Sequence, residues 1–245
     1  MVLAIDMYYI EGKNKMEKGK LIVIEGTDCS GKETQSNLLR EKLINDGLHV
    51  SKMQFPAYDT PTGRIIGGCY LGKDMFPESD RAWFPEGATN VDPLAASALY
   101  AADRRYNLNR INNELANNDV VILDRYVESN MAHQGGKISD EAERKEMYRK
   151  LEMMEFQVMG LPRPDQVYLL YMPYLQALEL KKGRNEKPDQ HEANPEHLKS
   201  AERAYLELAQ IYGFDVINCV NNGTIRTIPD INQELYAKVR SLVRK

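Results

Sequence analysis

The sequence predicts an α/β fold, a parallel sheet covered by helices on both faces. Five short β-rich runs, at 20–25, 50–55, 119–124, 166–172 and 214–220, alternate with helical patterns at 32–46, 93–117, 140–159, 173–182, 195–212 and 229–243. That alternation is what a sheet of crossover-connected parallel strands requires. The chain has 245 residues, 42% of them apolar and 28% charged, which suffices for a real core and argues against a disordered, collagen-like or disulfide-scaffold protein.

The first run, Leu-Ile-Val-Ile-Glu, is nearly all apolar, as a strand buried on both faces must be. The helix after it is closed by Asn45-Asp46-Gly47, and the later helices follow Asp92-Pro93, Pro173, Pro195 and Pro229, where proline suits a first helical turn. No repeat, low-complexity tract or proline-rich linker divides the chain, so residues 20–245 read as a single domain. Residues 1–19 read as an extension outside that core, because the stretch before residue 20 is polar and Met16 is a second possible start. Two polar interruptions, 72–90 and 181–194, are long enough to be either lids or disordered loops.

With 32 Lys and Arg against 36 Asp and Glu, the net charge is −4, and no cationic field exists to hold a nucleic acid. Cys29, Cys69 and Cys219 are widely spaced and odd in number, which indicates neither a disulfide framework nor a cysteine zinc site and fits a reducing cytoplasm. No apolar stretch is long enough to span a bilayer, and the N-terminus lacks the features of an export signal, so no membrane association is expected.

The first strand runs into Gly26-Thr27-Asp28-Cys29-Ser30-Gly31-Lys32, with the spacing G-x-x-x-x-G-K, and a helix follows. In that context glycines let backbone amides curl around phosphate oxygens, the helix N-terminus adds positive partial charge, and lysine reaches the β and γ phosphates. The full motif has Ser or Thr after the lysine to hold Mg²⁺; here Glu33 stands there and Thr34 follows. Either Glu33 supplies an oxygen to the metal, directly or through water, or Mg²⁺ is held elsewhere, or the turn is degenerate.

The third strand ends Asp124-Arg125-Tyr126, at the sheet edge where ligands bind in open α/β folds. Asp124 would orient a Mg²⁺ water and Arg125 would clamp a transferring phosphoryl group; a structural ion pair capping the strand is the competing reading. Ser129, Asn130, His133 and Gln134 offer hydrogen bonds to a base or sugar, and Phe55, Pro56, Tyr58, Tyr100 and Arg104 add aromatic and cationic groups. His49, His133, His191 and His197 show no recurring ligand spacing with cysteine, so a zinc site is not expected. Trp83 is expected to pack locally rather than fold over a ligand or a partner.

From about Leu21 onward the stretches IEGTDCSGKETQ, FPAYDTPTGRIIGGCYL, YAADRR, LDRYVESNMAHQGG and LPRPDQVYLLYMP, then a charged segment with Asp189-x-x-Glu192, resemble the thymidylate kinase family in the same order. The resemblance implies a P-loop kinase three-layer sandwich, a five-stranded parallel sheet of order 2-3-1-4-5, and a short lid at about 181–195. It implies transfer of the γ-phosphate of ATP to dTMP with Mg²⁺, in a homodimer.

By resemblance, Lys32, Arg125 and the lid residue Arg184 are catalytic. Gly26, Asp28, Ser30, Gly31, Lys32, Glu33 and Thr34 bind ATP, and Glu33 and Asp124 serve the metal. The dTMP site takes Asp28, Phe55, Pro56, Tyr58, Tyr100, Arg104, Arg125, Ser129, Asn130, His133 and Gln134, with Tyr100 stacking on thymine and Arg104 and Asn130 at its polar edge. This sequence departs from the family pattern at Glu33, at His133 where Tyr or Phe is common, and in the length of 72–90. A kinase with another acceptor, or a nucleotide-binding protein without catalysis, are the alternative readings.

Overall fold

Leu21 to Ile24 are buried because β1 (Lys20–Gly26) runs through the centre of a parallel sheet, between β3 (Val120–Asp124) and β4 (Gln166–Tyr171). The structure, a computed structural model, describes residues 18–27, 29–181 and 188–243. With β2 (Val50–Gln54) and β5 (Asp215–Asn218) at the edges, the order is β2-β3-β1-β4-β5, all parallel, as the resemblance implied. Ile24 pairs with Asp124 and Gly26 with Leu170, so the phosphate-type turn and the end of β3 share one sheet edge.

Alternation along the strands builds two cores. Ile22, Ile24, Ile122 and Leu170 face α1 (Lys32–Asn45) and α9 (Ile228–Val243), while Val23, Val121, Leu123 and Leu169 face the opposite layer. That layer holds α4 (Leu108–Asn117), α6 (Glu141–Glu152) and α8 (Pro195–Tyr212). Between β4 and α8 lies α7 (Tyr174–Lys181).

Two helical expectations are corrected. The single helix at 93–117 is two, α3 (Pro93–Tyr106) and α4, because Asn107 donates its side-chain amide to the Asp103 carbonyl (2.9 Å) and turns the chain there. The 140–159 pattern leaves α-helical geometry after Glu152 and continues as a widened π turn, Met153–Val158. Two short helices went unread: α2 (Pro61–Arg64), extended by a π turn Ile65–Tyr70, and α5 (Val127–Asn130), extended by a π turn Met131–Gly135. The Thr60 hydroxyl caps α2 by accepting from the Gly63 amide (3.3 Å), a signal visible in Thr60-Pro61.

The fifth run is shorter than expected. It stops at Asn218, and Val220–Asn221 (β6) and Thr224–Ile225 (β7) form a separate antiparallel hairpin. Its turn residues Asn222 and Gly223 are left-handed (φ 48° and 78°), as a two-residue hairpin turn demands.

Of the expected extension, 1–17 lie outside the described residues, as do Asp28, Arg184 and the rest of 182–187. The Gly19 amide already donates to the Leu115 carbonyl (2.8 Å), so the core engages the chain one residue before the expected boundary. The 72–90 segment is not a bare loop: Phe76 and Ala88 are buried, and Ala88 joins Ile66, Tyr70, Leu71, Val91 and Ala96 in a third apolar cluster. Trp83 corrects the expectation of local packing. The residue is 63% exposed, with its backbone amide donating to the Cys69 carbonyl (2.7 Å) and its Nε1 to the Ser79 carbonyl (2.8 Å).

Candidate functional site

At the end of β1 the chain makes its tight turn with Cys29 and Gly31 both left-handed (φ 58° and 77°), the second a position that favours glycine. The turn is fastened to β4 through Thr27, whose hydroxyl donates to the Met172 carbonyl (2.7 Å) and accepts from the Met172 amide (2.9 Å). A side chain at Gly26 would run into the Leu170 carbonyl at 2.8 Å, so the turn lies flush on the sheet. Lys32 opens α1 and folds back over the turn, donating to the Gly26 and Thr27 carbonyls at 2.9 and 3.1 Å. Gly31, Lys32, Glu33 and Thr34 border one cavity of about 280 Å³, and Asp124 and Arg125 border it as well. Ser30 is buried in the turn itself.

A second cavity of about 100 Å³ adjoins it. Phe55, Pro56, Tyr58, Tyr100, Arg104, Arg125, Ser129, Asn130, His133 and Gln134 all border this space, which gathers every described residue assigned by sequence to the acceptor. Arg125, Phe55, Pro56 and Tyr58 border both cavities. Arg125 is left-handed (φ 67°), its amide donates to the Ile24 carbonyl (3.1 Å), and its guanidinium reaches the Ser129 and Tyr205 hydroxyls (3.3 and 3.4 Å).

The walls are held by residues that sequence reading left without roles. Glu25 is fully buried and accepts from the Tyr126 amide (2.8 Å), the Ser129 amide (3.0 Å), the Ser129 hydroxyl (2.6 Å) and the Tyr205 hydroxyl (2.9 Å). Those bonds shape the turn that presents Arg125, and the Ser129 hydroxyl is thereby committed to the protein. A carboxylate ending an otherwise apolar strand beside a phosphate-type turn was the available signal. Asp103 does the same for the facing loop, accepting from the Ala57 amide (2.9 Å) and the Thr62 hydroxyl (2.7 Å).

Tyr100 and Arg104 lie one helical turn apart on α3, which brings both to the cavity. Arg104 is buried and clasps both oxygens of Glu155, while its third nitrogen donates to the Tyr126 carbonyl (3.3 Å). Asn130 donates to Glu155 (2.8 Å) and to the Ser97 carbonyl (3.2 Å); its amide oxygen is buried and has no hydrogen-bond partner among the described residues. Burial pushes the Tyr58 phenol up to about 12, so it stays a neutral hydroxyl on the cavity wall.

Lys73, from the 72–90 segment, borders both cavities and pairs with Asp189 (2.8 Å). In the Asp189-x-x-Glu192 turn, the Asp189 carboxylate accepts from the His191 and Glu192 amides (both 3.0 Å), and Glu192 accepts in return from the Asp189 amide (3.3 Å). Sequence spacing did not foretell one feature: His133, His191 and His197 converge, with one potential ligand atom from each within 4.8 Å of the others. Spacing concealed this because the three arrive from separate elements.

A family profile described as thymidylate kinase matches residues 24–226. The chain is 31% identical to the thymidylate kinase of Mycobacterium tuberculosis (strain ATCC 25618 / H37Rv), covering 77% of this chain and 85% of that one. It belongs to the thymidylate kinase family. It is also 30% identical to a probable thymidylate kinase of Methanocaldococcus jannaschii, over 93% of this chain and 99% of that one. The solved structure of thymidylate kinase from Candida albicans shares the fold, with a TM-score of 0.66 and 23% identity over 92% of each chain.

Proposed function

We propose that this thymidylate kinase family member transfers the γ-phosphate of ATP to dTMP, giving dTDP. The observation that carries this reading is Arg125 on the shared wall of the two cavities, one bordered by the phosphate-type turn and the other by aromatic and amide groups. A guanidinium there meets phosphates arriving from both sides.

The acceptor cavity suits a pyrimidine. Asn130 offers an unpartnered amide oxygen to an imide N–H, Arg104 offers guanidinium N–H groups to a ring carbonyl, and Tyr100 offers an aromatic face. Together they complement the donor and acceptor edge of thymine.

An acceptor phosphate has its second pKa near 6 and is mostly a dianion at neutral pH, so no general base is required. The protein's work is in-line positioning and neutralisation of charge on the equatorial oxygens. Lys32 and Arg125 are assigned to that work, with Arg184 and Asp28 retained from the sequence as proposals. Gly26, Ser30 and Gly31 contribute the amide turn, and Glu33 and Thr34 the start of α1.

Magnesium fits the donor set. Glu33 and Asp124 border the same cavity as Lys32 and offer carboxylate oxygens, the ligand type a hard cation takes. Bound there, Mg²⁺ would offset charge on the β and γ oxygens.

The chain is further proposed to be a cytoplasmic homodimer without a nucleic acid or membrane partner. The free thiols of Cys69 and Cys219 support a reducing compartment. Exposed Tyr106, Met153 and Val158, on neighbouring segments of α3 and the 153–158 turn, support pairing. Among the described residues, no helix is long and apolar enough to cross a membrane.

The test is product formation from ATP with dTMP, dUMP, UMP, AMP or thymidine. The reading expects dTDP as the dominant product. Preference for another acceptor, or ATP binding without turnover, overturns it.

A further inference from the structure

His133 and His191 border the acceptor cavity and His197 lies against them, and the three together have the chemistry of a ligand set that the phosphoryl transfer itself does not call on. His133 comes from the π turn after α5, His191 from the turn before α8, and His197 from the first turn of α8. His133 Nδ1 and His197 Nε2 are 3.1 Å apart, and the widest separation within the group is no more than 4.8 Å. Around a tetrahedral ion with metal–nitrogen bonds of about 2.0–2.1 Å, neighbouring ligand nitrogens sit about 3.4 Å apart. The nearest pair already has roughly that separation, and the third ring lies within reach of both.

We propose that His133, His191 and His197 form a binding site for a first-row transition-metal dication of the zinc type, held by three imidazole nitrogens with a fourth position left to water.

Two further features agree with a ligand role. His191 and His197 are buried and His133 is half-buried, so the rings are sequestered rather than solvated. The backbone at two of them is fixed: the His191 amide donates to Asp189 and the His197 amide donates to the Asn194 side chain, both at 3.0 Å.

Charges around the group divide. Arg125, Lys137 and Lys32 bring positive charge against a cation, while Asp189 and Glu192 border the same cavity as His133 and His191 with carboxylates. Imidazole nitrogens select zinc-like ions over magnesium, whose preference is for oxygen, so this site is separate from the one assigned to Glu33 and Asp124. An ion here would tie the turn following residues 182–187 to α8 and to the cavity wall. Without one, the same geometry is a hydrogen-bonded imidazole group.

The test uses the untagged full-length chain, stripped with chelator and titrated with Co²⁺ alone. The proposal expects one equivalent per chain, visible d–d absorption of nitrogen-ligated four-coordinate cobalt, displacement by Zn²⁺, and no displacement by Mg²⁺. His197→Ala and His191→Ala each lower affinity at least a hundredfold, while His49→Ala, at a side chain 83% exposed, leaves it unchanged. Circular dichroism checks each variant, and His197→Gln replaces any that fails to fold. Zn²⁺ also raises the Tm of the unsubstituted chain. Absence of a cobalt band, or a band that survives in folded His197 variants, overturns the proposal. Neither readout involves nucleotide, so the result is independent of the kinase reading.

Discussion

Arg104 and Glu155 form a two-pronged ion pair with both side chains buried, and the same Glu155 carboxylate accepts from Asn130. One carboxylate thus orients both polar groups assigned to the base. Glu155→Ala strands a buried guanidinium and should cost about 3–5 kcal/mol of stability. Urea unfolding measures that loss, and dTMP KM should rise while ATP KM holds. An unchanged midpoint removes Glu155 from this role.

Arg125 borders both cavities and Lys32 covers the turn, so Arg125→Ala and Lys32→Ala should each lower kcat by about 10²–10³ or more. Circular dichroism of both variants should match the parent. Parental turnover in either purified protein would exclude that residue from the chemistry.

Glu33 takes the place of the usual hydroxyl and faces the cavity it shares with Asp124. Glu33→Ala should shift the Mg²⁺ titration of activity to higher concentration, and Glu33→Ser should restore it. An identical titration for all three proteins assigns the metal to other ligands.

Glu128 is a buried carboxyl whose pKa is pushed up to about 8, by burial first and by the Glu25 carboxylate second. The unfolded chain ionises near 4.5, so between 4.5 and about 8 the folded state holds the extra proton and stability falls as pH rises. Glu128→Gln should leave Tm unchanged at pH 4 and raise it by several degrees at pH 8. Thermal melts across that range check the sign; an equal gain at both pH values contradicts it.

The strands were legible because a parallel sheet buried on both faces demands apolar runs, and four of the five ended within a residue or so of the expected positions. Gly26 to Lys32 was legible because a phosphate turn imposes local spacing. Glu25, Asp103 and Glu155 escaped because their roles arise only when distant backbone amides and side chains arrive around them. The histidines escaped for the same reason. The helix break at Asn107 is a local competition between side chain and backbone, which apolar periodicity does not register.

Two stretches far apart in the chain behave as one piece of surface. Lys73 pairs with Asp189, the Ala88 amide donates to the Gln190 side chain (2.6 Å), and the Gln190 amide donates to the Leu71 carbonyl (3.2 Å). A chimera that exchanges residues 72–90 with a shorter relative would therefore orphan the stretch around Gln190 unless its counterpart were transplanted too. Insertions in the first are constrained by the second, and evolutionary change at this rim has to come in matched pairs.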